Sequence, residues 1–215
     1  MLSRLFGKKN KAVQVQPVSS VISQEELDYA FHFAVQSHDL AKAKEYAVQG
    51  ANINAAPEGH TPALISSVRD KHAEITDWLL TQKPDMERVD RFGKTALMTA
   101  VDHGAVWVGK IITAGANPNT QDSKGWTALE YALRQNHVES AQILIDVLKD
   151  LTQPLSDGST PADYTRENGM PALAEQIAQK EQDKAKAAAE ALKPETKQLV
   201  TVMKRIRLKK DGLNT

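Results

Sequence analysis

From Ser23 onward, apolar residues recur with a helical period. Leu27, Ala30, Phe31 and Ala34 fall on one helical face. Ser23, with Glu26 three residues later, has the spacing of a capping box ahead of that face. A second helix is expected from Asp39 to Gln49, with Ala41, Ala43, Tyr46 and Ala47 available for packing. Gly50-Ala51-Asn52-Ile53-Asn54 closes the pair, and Gly50 suits a left-handed helix C-cap. The pattern then repeats. Gly59, Gly93, Gly125 and Gly158 are separated by 34, 32 and 33 residues, and Thr61, Thr95, Thr127 and Thr160 follow each of them by two. A period near 33 predicts a solenoid whose unit is a turn and two antiparallel helices. Each Thr can cap the first helix of its unit. Pro62 and Pro161 are expected at the first helical position, where a missing N–H costs nothing.

These units resemble the ankyrin repeat family, whose recurring stretch reads Thr-Pro-Leu-His-x-Ala. The matching segments begin at Thr61-Pro62-Ala63-Leu64, Thr95-Ala96-Leu97-Met98, Thr127-Ala128-Leu129-Glu130 and Thr160-Pro161-Ala162-Asp163. Second helices fit at 72–80, 108–112 and 137–144, and the resemblance covers about 24–180. It implies an all-α solenoid of about five helix pairs, carried on into a helical C-terminal extension. It also implies a non-enzymatic protein-binding module. The family's motif histidine is missing, replaced by Leu64, Met98, Glu130 and Asp163. The resemblance leads one to expect that a hydrogen-bonded tie between neighbouring units is lost with it. Two exits are irregular: unit one ends in Lys83-Pro84-Asp85, and unit three in Asp150-Leu151-Thr152-Gln153-Pro154.

Charge separates the ends from the body. Residues 1–12 carry +4, residues 196–215 carry +5 and residues 13–195 carry −9. The expected organisation is a basic flexible leader over 1–22, the repeat array over 23–180 and a helical, basic extension over 181–215. Leu2, Leu5 and Phe6 beside Arg4, Lys8 and Lys9, with the apolar stripe from Leu199 to Ile206, offer a weak contact with an anionic membrane. Solvated tails are the plainer alternative. Nucleic-acid association through Lys204–Lys210 ranks last, since that run has no aromatic for stacking. No window reaches the 18 or so apolar residues of a membrane span, and the first residues lack a secretory pattern. A cytoplasmic location is the expectation, and the absence of cysteine suits it.

The chain offers no catalytic motif. It has no cysteine, no phosphate-binding loop and no Gly-x-Ser-x-Gly. Its six histidines include no helical metal pair with an acid between them. Neither catalytic nor metal-ligating residues, nor a cofactor, are expected.

A partner protein is expected instead. In the family's geometry, residues flanking the Gly-x-Thr turn project as a finger, and the exposed side of the first helix lines the same concave face. Arg91, Phe92 and Lys94 then belong to the finger of unit two, and Lys124 and Trp126 to that of unit three. Asp102, His103, Arg134 and Gln135 lie at the ends of the adjoining first helices. Aromatic residues beside arginine are the usual anchors of protein interfaces. Phe92 and Trp126 either meet a partner or pack against neighbouring fingers. Trp107 is either a satellite core contact or a second surface patch, while Trp78 is expected in the core.

Overall fold

Helices of six to thirteen residues are marginal on their own in water, so this chain holds them only by stacking. The computed structural model describes residues 22–190 apart from Glu58. The helices are α1 (Gln24–Gln36), α2 (Leu40–Val48), α3 (Ala63–Arg69), α4 (Ala73–Thr81), α5 (Ala96–Val101), α6 (Ala105–Thr113), α7 (Ala128–Arg134), α8 (Val138–Val147) and α9 (Pro161–Glu167). A further helix, α10, runs from 171 through 190. Among the described residues there is no strand. The pairs are α1 with α2, α3 with α4, α5 with α6 and α7 with α8, and the first helices α1, α3, α5 and α7 stack in sequence. This is the expected all-α array of helix pairs.

The core is one aliphatic seam. Ile65, Leu79, Leu97, Ile111, Leu133 and Leu144 are each almost fully buried, at about 1.5–3 kcal/mol apiece. Ala34, Ala100 and Ala132 are buried too, small enough for first helices to stack closely. Leu173 and Ile177 extend the seam into α10. There the Lys180 ammonium donates to the carbonyls of Ile145 and Asp146, at the end of α8 where a cation suits the helix dipole. Trp78 is half-buried against the core, 6.3 Å from Phe31 between ring centres. Trp107 also packs against the core, with its ring edge-on to His103.

The caps follow the sequence with one correction. Ser23 and Glu26 form the capping box, and Thr95, Thr127 and Thr160 each accept the N–H three residues on at 3.4, 3.2 and 3.1 Å. Thr61 does not cap. Unit one has an extra residue, and the helix absorbs it at its start: Pro62 takes the cap position and α3 begins at Ala63 without a side-chain cap. Pro62 is therefore not the first helical residue, whereas Pro161 is.

That shift also corrects the account of the motif histidine. The chain turns from first to second helix through a positive-φ residue: His38, Lys71, Gly104, Asn136 and Gly169. Six positions before each lie His32, Ile65, Met98, Glu130 and Asp163. Ile65, not Leu64, is thus the structural counterpart in unit one. In the first pair, the histidine is present. His32 is 1% exposed and its Nε2 lies 2.5 Å from the Thr61 carbonyl oxygen, which ties α1 to the next unit.

At the irregular exits the backbone or the core makes up the difference. Lys83 takes a left-handed φ of 53° where Gly50 and Gly115 stand in their units. Unit three's exit is anchored by buried Leu148, Leu151 and Leu155. Residues 1–21 of the basic leader expected over 1–22, the apolar stripe from Leu199 and the Lys204–Lys210 run lie outside the described residues, as do the membrane and nucleic-acid contacts expected of them.

Candidate binding rim on fingers two and three

Two successive loops, 90–94 and 122–126, fold by the same local rule. An aspartate begins each, and its carboxylate turns back onto the loop's own backbone. Asp90 Oδ1 accepts the N–H of Phe92 at 2.8 Å and of Lys94 at 2.9 Å. Asp122 Oδ1 accepts the N–H of Lys124 at 2.8 Å and of Trp126 at 2.9 Å. The Asp90 N–H donates to the Lys94 carbonyl, and the Asp122 N–H to the Trp126 carbonyl, each at 3.0 Å. Gly93 and Gly125 supply the positive φ that such tight loops require. The fingers touch where the Ser123 N–H donates to the Phe92 carbonyl at 3.2 Å. At Gly93 a Cβ would come within 2.6 Å of the Ser123 nitrogen, so this contact demands glycine.

Phe92 is 57% exposed at the finger tip, with the Arg91 guanidinium 4.7 Å from its ring centre. Val89, on the same loop, is also exposed and went unnoticed in the sequence. Lys124 is exposed, its ammonium 5.3 Å from the Trp126 ring. Trp126 itself is half-buried against the core, edge-on to Tyr131 with centres 5.1 Å apart.

Behind the tips a row of cations and rings runs across the units. Lys94 Nζ lies 4.2 Å over Tyr131, and the Arg134 guanidinium lies 4.9 Å from Trp126 and 5.4 Å from Tyr164. Such contacts are worth about 0.5–1 kcal/mol at exposed sites and more when desolvated. Lys94 also reaches Asp102 at 3.6 Å. Arg134 is fully engaged: it meets Glu130 and Asp157, both at 2.8 Å. Glu130 is 1% exposed and also accepts from the Ser156 N–H and hydroxyl, so it joins unit three to unit four. Gln135 is exposed at the C-cap of α7. His103 is turned inward, both ring nitrogens buried, close to the Arg69 backbone.

The electrostatics fit a rigid support. Burial opposes ionisation of Asp122, but the Tyr131 hydroxyl at 2.6 Å and two backbone N–H groups outweigh it and hold the carboxyl below its ordinary range. Burial and that same bond push the Tyr131 hydroxyl up. Arg134 feels burial too, yet Glu130 and Asp157 keep it firmly cationic. Burial lowers His103, helped by nearby Lys71, and favours the neutral ring. Among the described residues, no group of three or more His, Asp or Glu side chains could hold a metal ion.

The structure sets Arg91, Phe92, Lys94, Lys124, Trp126 and Arg134 along these two fingers and α7, on a support not among the residues expected from the sequence. Asp90, Asp122, Glu130, Tyr131 and Tyr164 are that support. Asp90 and Asp122 had a legible signal, since each stands three residues before its finger glycine.

An ankyrin repeat profile of three copies matches residues 31–122, and a second ankyrin repeat profile matches residues 110–145. The chain belongs to the ankyrin repeat family. Such repeats are commonly protein–protein interaction modules. The Escherichia coli protein YahD, named for its ankyrin repeats, is 32% identical over 136 residues, which covers 59% of this chain and 66% of YahD. Ankyrin repeat protein nuc-2 of Neurospora crassa is 27% identical over 143 residues, 65% of this chain but 13% of nuc-2. Human ankyrin repeat domain-containing protein 13B is 26% identical over 96 residues, 44% of this chain and 15% of that protein. The chain thus spans a small part of nuc-2 and of 13B. Among the described residues, no helix of this ankyrin array is long and apolar enough to cross a membrane.

Proposed function

We propose that this ankyrin array is a non-enzymatic adaptor or scaffold, cytoplasmic in keeping with its cysteine-free composition, that holds a partner protein on its concave finger and first-helix face. The contact centres on fingers two and three. The observation that carries this is Phe92, an aromatic ring more than half exposed at a finger tip with an arginine stacked on it. Aromatic and arginine side chains are the groups that anchor protein interfaces, and an exposed ring of this size calls for a use. The labour divides by burial. Arg91, Phe92 and Lys124 are the contact groups; Lys94, Asp102, Trp126 and Arg134 hold the surface in shape; His103 and Gln135 flank it.

The test is affinity capture by the full-length protein from lysate of its source, with captured proteins identified by mass spectrometry. The double variant Arg91→Ala/Phe92→Ala should keep the wild-type circular dichroism and lose a defined set of partners. Val106→Ala, at an exposed apolar residue of α6, should retain that set. Equal capture by both variants removes the rim from consideration.

A further inference from the structure

We propose that residues 196–207 form a helix that turns back along the outer half of α10 and fills the groove between that helix and the exit of unit three. The occupant is a segment of this same chain, independent of any partner at fingers two and three.

The groove lies where the buried seam runs out. Leu173 and Ile177 seat the inner face of α10 on the array. At helical spacing that face continues as Glu181, Lys184, Ala185 and Ala188. With Leu151 and Thr152 of the exit loop, these residues line a groove of about 310 Å³. The cations on its walls are already engaged: Lys180 donates to the carbonyls of Ile145 and Asp146, and Lys184 pairs with Asp150 at 3.4 Å. What faces the opening is apolar, namely Leu151, the two alanines and the lysine stems. Ala185 and Ala188 are exposed, and their small side chains let a second helix approach closely.

The chain beyond α10 carries the matching face. Leu199, Val200, Met203 and Ile206 share one helical stripe, while Lys197, Lys204, Arg205 and Lys209 fall outside it. Pro194 supplies the reversal. The residue before a proline avoids helical geometry, so a helix entering from α10 ends by Lys193. The register then follows by counting. Ala188 and Val200 each stand six residues from Pro194, Ala185 and Met203 nine, and Glu181 and Arg207 thirteen. Antiparallel helices joined there set small residues against large ones, at the axial separation of about 8–10 Å usual for packed helices. The helix from Pro194 to Arg207 rises about 20 Å, enough to bring Arg207 opposite Glu181 beside Leu151. Apolar match and length select this seat, and charge does not, since the stripe's flanking cations point away from the groove. Left free, such a stripe would be drawn to an anionic membrane; seated, it leaves only basic residues outward.

The full-length chain has no cysteine, so paired cysteines report the contact without background. Ala185→Cys/Met203→Cys and Ala188→Cys/Val200→Cys, mildly oxidised at low protein concentration, should close a disulfide within one chain, read by non-reducing gel and peptide mass. Lys186→Cys/Met203→Cys puts one thiol on the far side of α10, out of disulfide reach, and should close at least about tenfold more slowly. Hydrogen exchange over 181–190 should quicken in Met203→Asp, with the circular dichroism of the array unchanged. Equal closure by all three pairs would show a tethered but unseated tail and overturn the proposal. Disulfides formed only between chains overturn it too, and place the segment on a second copy. Failure of both facing pairs to close, or exchange over 181–190 indifferent to Met203→Asp, leaves the groove without this occupant. If anionic vesicles alone then slow exchange over 196–207, the stripe belongs to a membrane instead.

Discussion

The first and last junctions of this array solve one problem with opposite chemistry. His32 and Glu130 occupy the same place, six residues before the left-handed residue that turns each first helix into the second. Both are 1% exposed, and both reach the following unit. His32 does so as a ring bonded to the Thr61 carbonyl and set edge-on to His60, 4.9 Å between ring centres. Glu130 does so as an acceptor shared by Arg134 and Ser156, with Asp157 closing the network. Between them, Ile65 and Met98 fill that place with apolar bulk, and the middle junction adds the backbone contact between fingers and a bond from the His137 ring to the Val101 carbonyl oxygen. One position can therefore be a neutral polar tie, a packing residue or an ionic hub, provided that the neighbouring unit supplies the complement. Burial lets each work: a buried polar group must be satisfied, and it is costly to leave alone.

The largest effect should come from Glu130→Ala. It strips Arg134 and Ser156 of their shared acceptor, and breaking such a network costs about 3 kcal/mol. Urea unfolding should register that loss. Hydrogen exchange should quicken around 156–177 while α1 and α3 stay protected; uniform quickening would show that the two junctions are not independent.

A smaller loss, about 2 kcal/mol, is expected for Gly93→Ala, which combines a left-handed alanine with a clash at Ser123. This variant places the middle junction on the same scale. A thermal midpoint equal to wild type would mean that the fingers do not need to touch.

The smallest effect is a difference in acid sensitivity. Burial lowers His32, although the Thr61 carbonyl resists the shift, and burial lowers His103 as well. A histidine depressed in the fold binds a proton more readily when unfolded. Its stabilising share is complete above the ordinary histidine value of about 6.5 and shrinks as pH falls below it. Asp157 behaves in the same sense, in a lower pH window. The Ser159 hydroxyl and N–H, with Arg134 adding to them, depress it to about 2, so its share is complete above the ordinary carboxylate value and is lost only as pH falls through about 2. Between pH 7.5 and 5, the urea midpoint should drop, and His32→Gln should flatten that drop. A midpoint unchanged over this interval would contradict the burial of His32 as a neutral ring.

Much of the array was legible because its signals are local. Gly-x-Thr fingers, capping hydroxyls and helical periodicity depend on residues within a few positions of one another, so Ser23, Thr95, Thr127 and Thr160 cap as the chain reads. Arg91, Phe92 and Lys124 were legible as rim residues for the same reason, since a finger's tip follows from its loop. Thr61 was misread because an extra residue in a helix pair can be absorbed at either end, and only packing of α3 against α1 and α5 chooses. His32 was missed because its unit lacks the Gly-x-Thr mark by which the motif was counted.

The sequence by itself determined that this is an ankyrin array, how its units are phased and which residues stand at its finger tips. Only the tertiary structure decided which of those residues are free. Arg134 and Trp126 look as available in the chain as Arg91 and Phe92, yet one pair is spent on Glu130, Asp157 and Tyr131 while the other faces solvent. Glu130 meets Arg134 along α7, and Tyr131 meets Trp126 only once the finger has folded back on that helix. Asp157 comes from the next unit, 23 residues from Arg134, a range where a repeat's own pattern says nothing about what its neighbour will supply.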